Sequence, residues 1–413
     1  MKQSRSMYFA WLGLIGAAIL AGLFAAVRLF TQGHYLFNAN DVLMWSLPLG
    51  VYIYLALTST GLTLLAALPL VFGVKKFEPL AKRLVFLAIA TLMGAFVAIG
   101  LELGDIFHMV YIMLSPNLSS PIWWMGFIYS VELVVLILKF QRLHAGDWHS
   151  PLSRTLGHIS FVAAIAAPLM IGSVFGLTES RVTYFGPMMS IYCLMMALLS
   201  GTALCLFYNL FITRVTAAGP SANMQPVYAE ISRIFTYILG IVIVFTMVKV
   251  AIESATVIPE FLNYRQYAQA FGGIGKLNTE VLVGLMLPFA LMAVPAVRKL
   301  NGSRIAASAL VLVGTLAMHM EILLAGQSRP IGPKAEQFPE YVTYFPSVYE
   351  WLVLLLALGV TLLLYTLGER YLRLESAPEP GTSWQLFSSS EPAPEADEES
   401  AEEAKHHARP SQA

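Results

Sequence analysis

Val97–Lys139 reads VAIGLELGDIFHMVYIMLSPNLSSPIWWMGFIYSVELVVLILK, and this stretch decides the fold class. It holds two apolar runs on either side of Ser115–Ser120, each near the ~20 residues that a helix needs to cross a bilayer. Ionisable groups nevertheless sit inside them: Glu102, Asp105 and His108 in the first, Glu132 in the second. An ionised side chain in hydrocarbon costs at least ~2.5 kcal/mol, so such groups persist where they face a polar cavity or a partner. Glu102, Asp105 and His108 recur every third residue, which on one continuous α-helix keeps them on a slowly drifting face. The expectation is that this face lines a site.

Outward from that stretch the composition agrees. Of 413 residues 57% are hydrophobic and 12% charged, with mean hydropathy +0.68, far from soluble globular composition. The chain reads as an all-α membrane protein. Lys+Arg and Asp+Glu both number 25, so net charge points to no partner, and no nucleic acid is expected. Cys193 and Cys205 share one apolar run without metal-ligand spacing and read as packing residues. The sequence has no C-x-x-C-H run, no ferredoxin-type cysteine cluster, no Walker A motif and no dinucleotide-binding glycine motif. No bound haem or iron–sulfur cluster is therefore expected in this chain.

About ten spans can be marked. Met7–Phe30 follows Lys2 and Arg5 and lacks a small-residue cleavage site, so it reads as a retained helix. The others are Val42–Val71, Leu84–Leu114, Pro121–Phe140, Thr155–Leu177, Tyr184–Thr213, Ile234–Ile258, Glu280–Val297, Ile305–Ala325 and Tyr344–Leu367. From Ser376 the chain turns to Pro, Glu, Ser and Ala, so residues 1–375 read as the membrane domain and 376–413 as a disordered cytoplasmic tail with His406 and His407 solvated.

Alternating sides along these spans, sixteen Lys and Arg fall on the side of the N-terminus and six on the other. The positive-inside rule then places both termini in the cytoplasm. With that orientation the buried polar groups gather toward the outer face: Asn40, Asp41, Glu102, Asp105, His108, Lys249, Glu253, Glu280, His319, Glu321 and Glu350. Lys249 and Glu253, four apart, can pair with each other. Glu132 lies nearer mid-membrane, and His158 near the inner end of the fifth span. Any one of these is as readily a satisfied structural group, but the one-sided set suggests a cavity opening outward.

An internal echo is present. The second span carries Pro48, Tyr52 and Thr60-Gly61, and the sixth carries Pro187, Tyr192 and Ser200-Gly201, with tyrosine and glycine nine apart in both. Spans two to five and six to nine then form two parallel four-helix units, flanked by one helix on each side.

Three stretches, WSLPLGVYIYLALTSTG (Trp45–Gly61), LGDIFHMVYIMLSPNLSSPIWWMG (Leu103–Gly126) and GTLAMHMEILLAGQ (Gly314–Gln327), together resemble the NrfD/PsrC family. These are quinone-interacting membrane subunits of respiratory iron–sulfur and molybdenum enzyme complexes. The middle segment is the most specific, with an Asp-containing helix end, then S-P-N-x-x-S and a Trp-rich helix start. The resemblance covers about residues 41–327, and ten helices match the larger branch, which includes the membrane subunits of menaquinone reductase complexes. Where many members have Arg-x-Asn before the A-G-Q run this chain has His319 and Glu321, and L-G-D-I-F replaces the D-L-G-R-P order.

The resemblance implies a subunit in the bacterial inner membrane that binds menaquinone or menaquinol and exchanges electrons and protons with it. Its partners would be a periplasmic iron–sulfur subunit, with molybdopterin-type or multihaem cytochrome subunits beyond. Quinone reduction takes two electrons and two protons, so a site needs donors or acceptors for both ring oxygens, a proton path and an apolar slot. Asp105, His108 and Glu102 are the candidates for proton exchange, and Asp41, Tyr52, Tyr129 and His319 for holding the quinone. Two other classes stay open: a secondary transporter, and a haem-containing cytochrome b-type anchor using His108 and His319.

Overall fold

The computed structural model describes residues 5–181, 184–216, 222–256, 281–333, 335–339, 342–372 and 374–375, and among them it is helical throughout, with no strand. The long helices are α1 (Arg5–Gln32), α2 (Leu47–Leu70), α3 (Glu78–Glu102), α4 (Pro121–His144), α5 (Pro151–Gly176), α6 (Met188–Thr216), α7 (Gln225–Thr256), α9 (Asn301–Ala325) and α10 (Val348–Tyr371). A shorter apolar helix, α8 (Leu282–Ala293), completes the expected ten. Nine of them are long and apolar enough among the described residues to cross a membrane. Glu280 and the tail expected from Ser376 lie outside the described residues, as does the side chain of Glu253.

α2 is the hub, packing against α3, α5, α6, α9 and α10. Its apolar surface runs all the way round, as a helix enclosed by others requires, and 89% of its most apolar window is buried against 22% for α1. α2, α3, α4 and α5 close a ring of neighbours, and α6, α7, α8 and α9 close another. The two rings meet where α2 crosses α6 and where α5 packs on α6. Lipid tails are as apolar as leucine, so close helix approach in a membrane relies on small residues. Here the crossing is made by the echoed glycines: a Cβ on Gly61 would stand 1.8 Å from the Ala197 carbonyl oxygen, and one on Gly201 2.3 Å from the Gly61 carbonyl carbon. Gly284 and Gly314 make the same kind of contact between α8 and α9.

Two expectations are corrected. The flanking helices do not stand one on each side of the two units. α1 packs on α10, where Gly22 admits the backbone of Leu352 and Leu356, and α10 packs in turn on α3 and α2. The expected third span, Leu84–Leu114, is not one helix either. α3 stops at Glu102, Leu103 is extended, and the chain restarts as a 3-10 turn (Ile106–Val110) and a short helix (Tyr111–Leu114). Gly104 is a poor helix former, and the Asp105 carboxylate accepts the Phe107 N–H at 2.9 Å, offering the backbone an alternative to continuing the helix.

At the end of the bundle where α3 begins, Arg83 is buried and joins three helices. Its Nε donates to Glu369 of α10 at 2.8 Å, and Nη1 donates to Asn209 of α6 at 2.8 Å. Tyr208 donates to the same Glu369 at 2.9 Å. Tyr208 and Asn209 open a π-helical turn, Tyr208–Ile212. Nearby, the turn from α4 to α5 is tied by Asp147, which accepts from Ser150 N–H at 3.0 Å and from Arg142 Nε at 2.7 Å. Burial works against the Asp147 carboxylate, but its bonds from Ser150 and Arg142 outweigh it and hold its pKa below the usual value.

Candidate functional site

The opposite end, where α3 finishes at Glu102 and α2 begins, carries most of the residues singled out by sequence, and the structure divides them into three places. The first is a set of tethers for the loop leading into α2. Glu102 accepts from Ser46 N–H at 3.1 Å and from Ser46 Oγ at 2.9 Å. Gln327, just past α9, accepts Trp45 N–H at 2.8 Å and donates to the Trp45 carbonyl at 3.3 Å. The Tyr344 hydroxyl accepts the Leu47 N–H at 2.9 Å and donates to the Glu350 carboxylate. Burial, with the Glu350 carboxylate beside it, raises the Tyr344 phenol far above its ordinary pKa. Glu350 is also the acid of a capping box with Ser347 at the start of α10.

Asp41 and Asp105 lie exposed on turns at this same end. Asp105 caps the 3-10 turn through Phe107, so Glu102 and Asp105 do not share a helix face. His108 falls within the 3-10 turn, and its side chain lies outside the described residues.

The second place is inside the α2–α5 unit. Tyr52 of α2 meets Tyr129 of α4 edge-on, with ring centroids 6.4 Å apart. Tyr129 is fully buried; its hydroxyl lies beside Thr60, and neither hydroxyl makes a hydrogen bond of ordinary geometry. One turn further along α4 is Glu132, also fully buried, with the Thr63 hydroxyl beside it but no hydrogen bond of ordinary geometry on either carboxyl oxygen. The Thr63 hydroxyl donates its proton to the Ser59 carbonyl at 3.2 Å, so toward Glu132 it can only accept. Leaving a buried polar atom unpaired costs about 1–3 kcal/mol, and more for a charged one. Three such groups together make this compartment a candidate for a ligand's hydrogen bonds.

The third place is inside the α6–α9 unit, on the other side of α2. Tyr52 and Tyr54 are two residues apart and so point about 200° apart around the helix axis. Tyr54 faces His319 of α9 with centroids 6.3 Å apart, and Tyr192 of α6 lies at 6.3 Å from the same imidazole. His319 Nδ1 donates to the Thr315 carbonyl at 2.5 Å, so in the neutral ring the proton is on Nδ1 and the buried Nε2 is an acceptor without a hydrogen-bond partner. Lys249 of α7 lies over the Tyr192 ring, its Nζ 5.9 Å from the centroid.

The expected quinone-holding set is thus brought together in part: Tyr52 and Tyr129 meet, while His319 belongs with Tyr54 and Tyr192. His158 is exposed, its Nδ1 bonded to the Arg154 carbonyl at 2.7 Å. Sequence reasoning leaves Glu132, Thr60 and Tyr54 out of the site. For Glu132 a signal is present, since it lies three residues after Tyr129 and hence on a neighbouring position of one face. Tyr54 carries no signal of its own.

Comparison with known proteins bears on these places directly. The sequence model of the family described as polysulphide reductase, NrfD, matches residues 35–331, from the loop before α2 to the loop after α9. The chain belongs to the NrfD family. Among curated relatives, the Hdr-like menaquinol oxidoreductase integral membrane subunit of Archaeoglobus fulgidus is 22% identical over 393 residues, covering 89% of this chain and 93% of the relative. A putative dimethyl sulfoxide reductase membrane subunit of Halobacterium salinarum is 23% identical over 413 aligned residues, covering 89% and 92%. A selenate reductase subunit of Mesobacillus selenatarsenatis is 22% identical over 278 residues, covering 57% and 62%. As a member of the NrfD family this chain is a multi-pass membrane subunit of an oxidoreductase complex, and both candidate compartments lie inside the matched residues.

Proposed function

We propose that this NrfD-family chain is the quinone-exchanging subunit of a respiratory complex, with the quinone ring held in the α2–α5 unit between Tyr52 and Tyr129. The observation that carries the reading is the buried group of Tyr129, Glu132 and Thr60, three side chains gathered in one compartment whose polar atoms make no hydrogen bond of ordinary geometry. A quinone carries two acceptor oxygens and its quinol two donors, which complement phenol and carboxyl groups. Tyr52 and Tyr129 then donate to ring oxygens. Glu132 gives or takes one of the two protons, and Asp105 and His108 exchange protons with water at the Glu102 end. An uncompensated buried carboxylate is costly, so proton transfer at Glu132 is favoured only with a bound ring to hydrogen-bond it. Electrons come from, or go to, an iron–sulfur subunit docked at the Glu102 end, with molybdopterin-type or multihaem subunits beyond.

Menaquinone is the proposed quinone, supported by the menaquinol oxidoreductase name of the archaeal relative. The proposed membrane is the bacterial inner membrane, with both termini cytoplasmic and the Glu102 end periplasmic, supported by the sixteen-to-six Lys and Arg asymmetry.

The test is quinone binding and quinone-linked electron transfer by the purified complex, with Glu132→Gln alongside. Saturable menaquinol binding that weakens in Tyr129→Phe supports the reading, and a complex that neither binds nor turns over any quinone ends it. Reporter fusions after Tyr371 and within 115–120 check the orientation, and a periplasmic C-terminus would move the site to the other face.

A further inference from the structure

Between α3 and α4 the chain runs as a strap, residues 106–118, whose helical turns pack on the ends of those two helices. The described side chains of its helical turns present an apolar outward side, and exposed Ser115 and Asn117 follow before Leu118. Phe107 is 79% exposed and Leu114 68%, and Val110, Tyr111 and Leu118 are exposed with them. Among the described side chains of the strap none is charged. The same apolar surface continues down α4 through exposed Ile122, Val134 and Leu138, a helix with only 22% of its most apolar window buried. That continuity with a membrane-crossing face, and the lack of charge, fit lipid as the occupant. A polar partner surface would be met by charged groups, which the described side chains of the helical turns lack.

The strap also lies on the helix that carries Tyr129 and Glu132. Ile112 seats on Gly126, where a Cβ would lie 3.2 Å from Ile112 Cγ2. Gly126 is three residues before Tyr129, on the same side of α4. Two indole N–H groups fasten the strap to the start of α4: Trp123 donates to the Ile112 carbonyl at 2.5 Å, and Trp124 to the Leu118 carbonyl at 2.9 Å. With Tyr129 fully buried, a ligand reaches it only if some wall moves. The other walls are membrane-length helices joined along their length, whereas the strap is two short turns.

We infer that the helical turns of the strap, 106–114, are a lipid-embedded cover of the Tyr52–Tyr129 compartment, and that a quinone bearing an isoprenoid tail reaches the compartment from the leaflet at the Glu102 end by displacing them. The access half of this inference rests on the proposed quinone function, while the position of the strap does not.

Two experiments on the whole complex in phosphatidylcholine vesicles test it. Cys193 and Cys205 are both buried, so spin labels at Phe107→Cys, Val110→Cys or Leu114→Cys report the introduced sites. Relaxation of these labels by oxygen in preference to a water-soluble nickel chelate is expected. Preference for the chelate, or protection from both by a neighbouring protein, overturns the lipid assignment. The second experiment joins strap to helix with a disulfide between Ile112→Cys and Gly126→Cys. Oxidation should lower turnover of a long-tailed quinol about tenfold or more, with recovery on reduction. Undiminished turnover in the oxidised form overturns the route and leaves the functional reading standing. A complex that is inactive toward quinones before oxidation overturns that reading and the route with it, and the labels still decide where the strap lies.

Discussion

Gly61 of α2 and Gly201 of α6 touch through their main chains, which sets the two four-helix units against each other at a backbone contact. A Cβ at either residue meets backbone atoms at less than 3 Å, and backbone cannot rotate away as a side chain can. Gly201→Ala and Gly61→Ala are therefore expected to destabilise the chain by about 1–3 kcal/mol each, the usual cost of overpacking. Gly13→Ala, which meets open space on α1, should be neutral. Thermal unfolding of the detergent-purified protein, followed by the loss of its monodisperse chromatographic peak, compares the three. An unchanged midpoint in Gly201→Ala would show that the units do not rely on this contact.

Two carboxyl groups are assigned to proton exchange, one buried and one exposed. Glu132→Gln and Asp105→Asn both keep shape, and Asn is as good a cap as Asp for the turn at Phe107, so both variants should assemble normally. Quinone-linked turnover per assembled complex should fall by ~10²–10⁴-fold in each, the usual contribution of a positioned acid or base. Near-wild-type turnover in Asp105→Asn would reduce Asp105 to its capping bond and leave proton exchange to Glu132 and its neighbours.

The opposed directions of Tyr52 and Tyr54 separate two roles. Removing one hydroxyl that bonds the quinone costs about 0.5–1.5 kcal/mol, so Tyr52→Phe and Tyr129→Phe should weaken quinol binding by roughly 2- to 12-fold. Tyr54→Phe and His319→Gln, across α2 from that compartment, should leave the binding constant within about twofold. Titration of the complex with quinol, read by intrinsic fluorescence, gives the constants. A larger loss in His319→Gln than in Tyr129→Phe would place the ring in the α6–α9 unit instead.

The Asp147 tie has a pH signature. Its carboxyl pKa is depressed by Ser150 and Arg142, so the stability it adds is fully present above the unfolded value near ~3.9 and is lost as pH falls through the lower folded value. Asp147→Asn should thus lower the unfolding midpoint at pH 7, by the equivalent of about 1–3 kcal/mol for bonds to a charged group. The gap from wild type should narrow below about pH 4. A pH-independent gap would point to packing at the turn and not to the charge.

The membrane class, the spans and the family were legible because each rests on short-range information. A run of ~20 apolar residues crosses a bilayer whatever surrounds it, since only a helix satisfies its own backbone there. The echo of Tyr52 with Gly61 and Tyr192 with Gly201 was legible too, and the two glycines prove to be the crossing point of the units. The break after Glu102 was only half legible. Gly104 and Asp105 are both visible breakers, yet the every-third-residue spacing of acids and histidine suggested one continuous face.

What the sequence by itself determined is which residues enter the membrane, because hydropathy and propensity are properties of a segment. Which polar groups meet was decided by the tertiary structure alone. Glu102 is taken up by Ser46 and Gln327 by Trp45, from segments far away in the chain. Tyr52 and Tyr54, nearly adjacent in sequence, are delivered to different compartments because α2 sits between the two units and a helix turns ~100° per residue. The same packing leaves Tyr129 and Glu132 enclosed without hydrogen bonds of ordinary geometry. No pattern along one segment can reveal that, since it depends on what the neighbouring helices fail to supply.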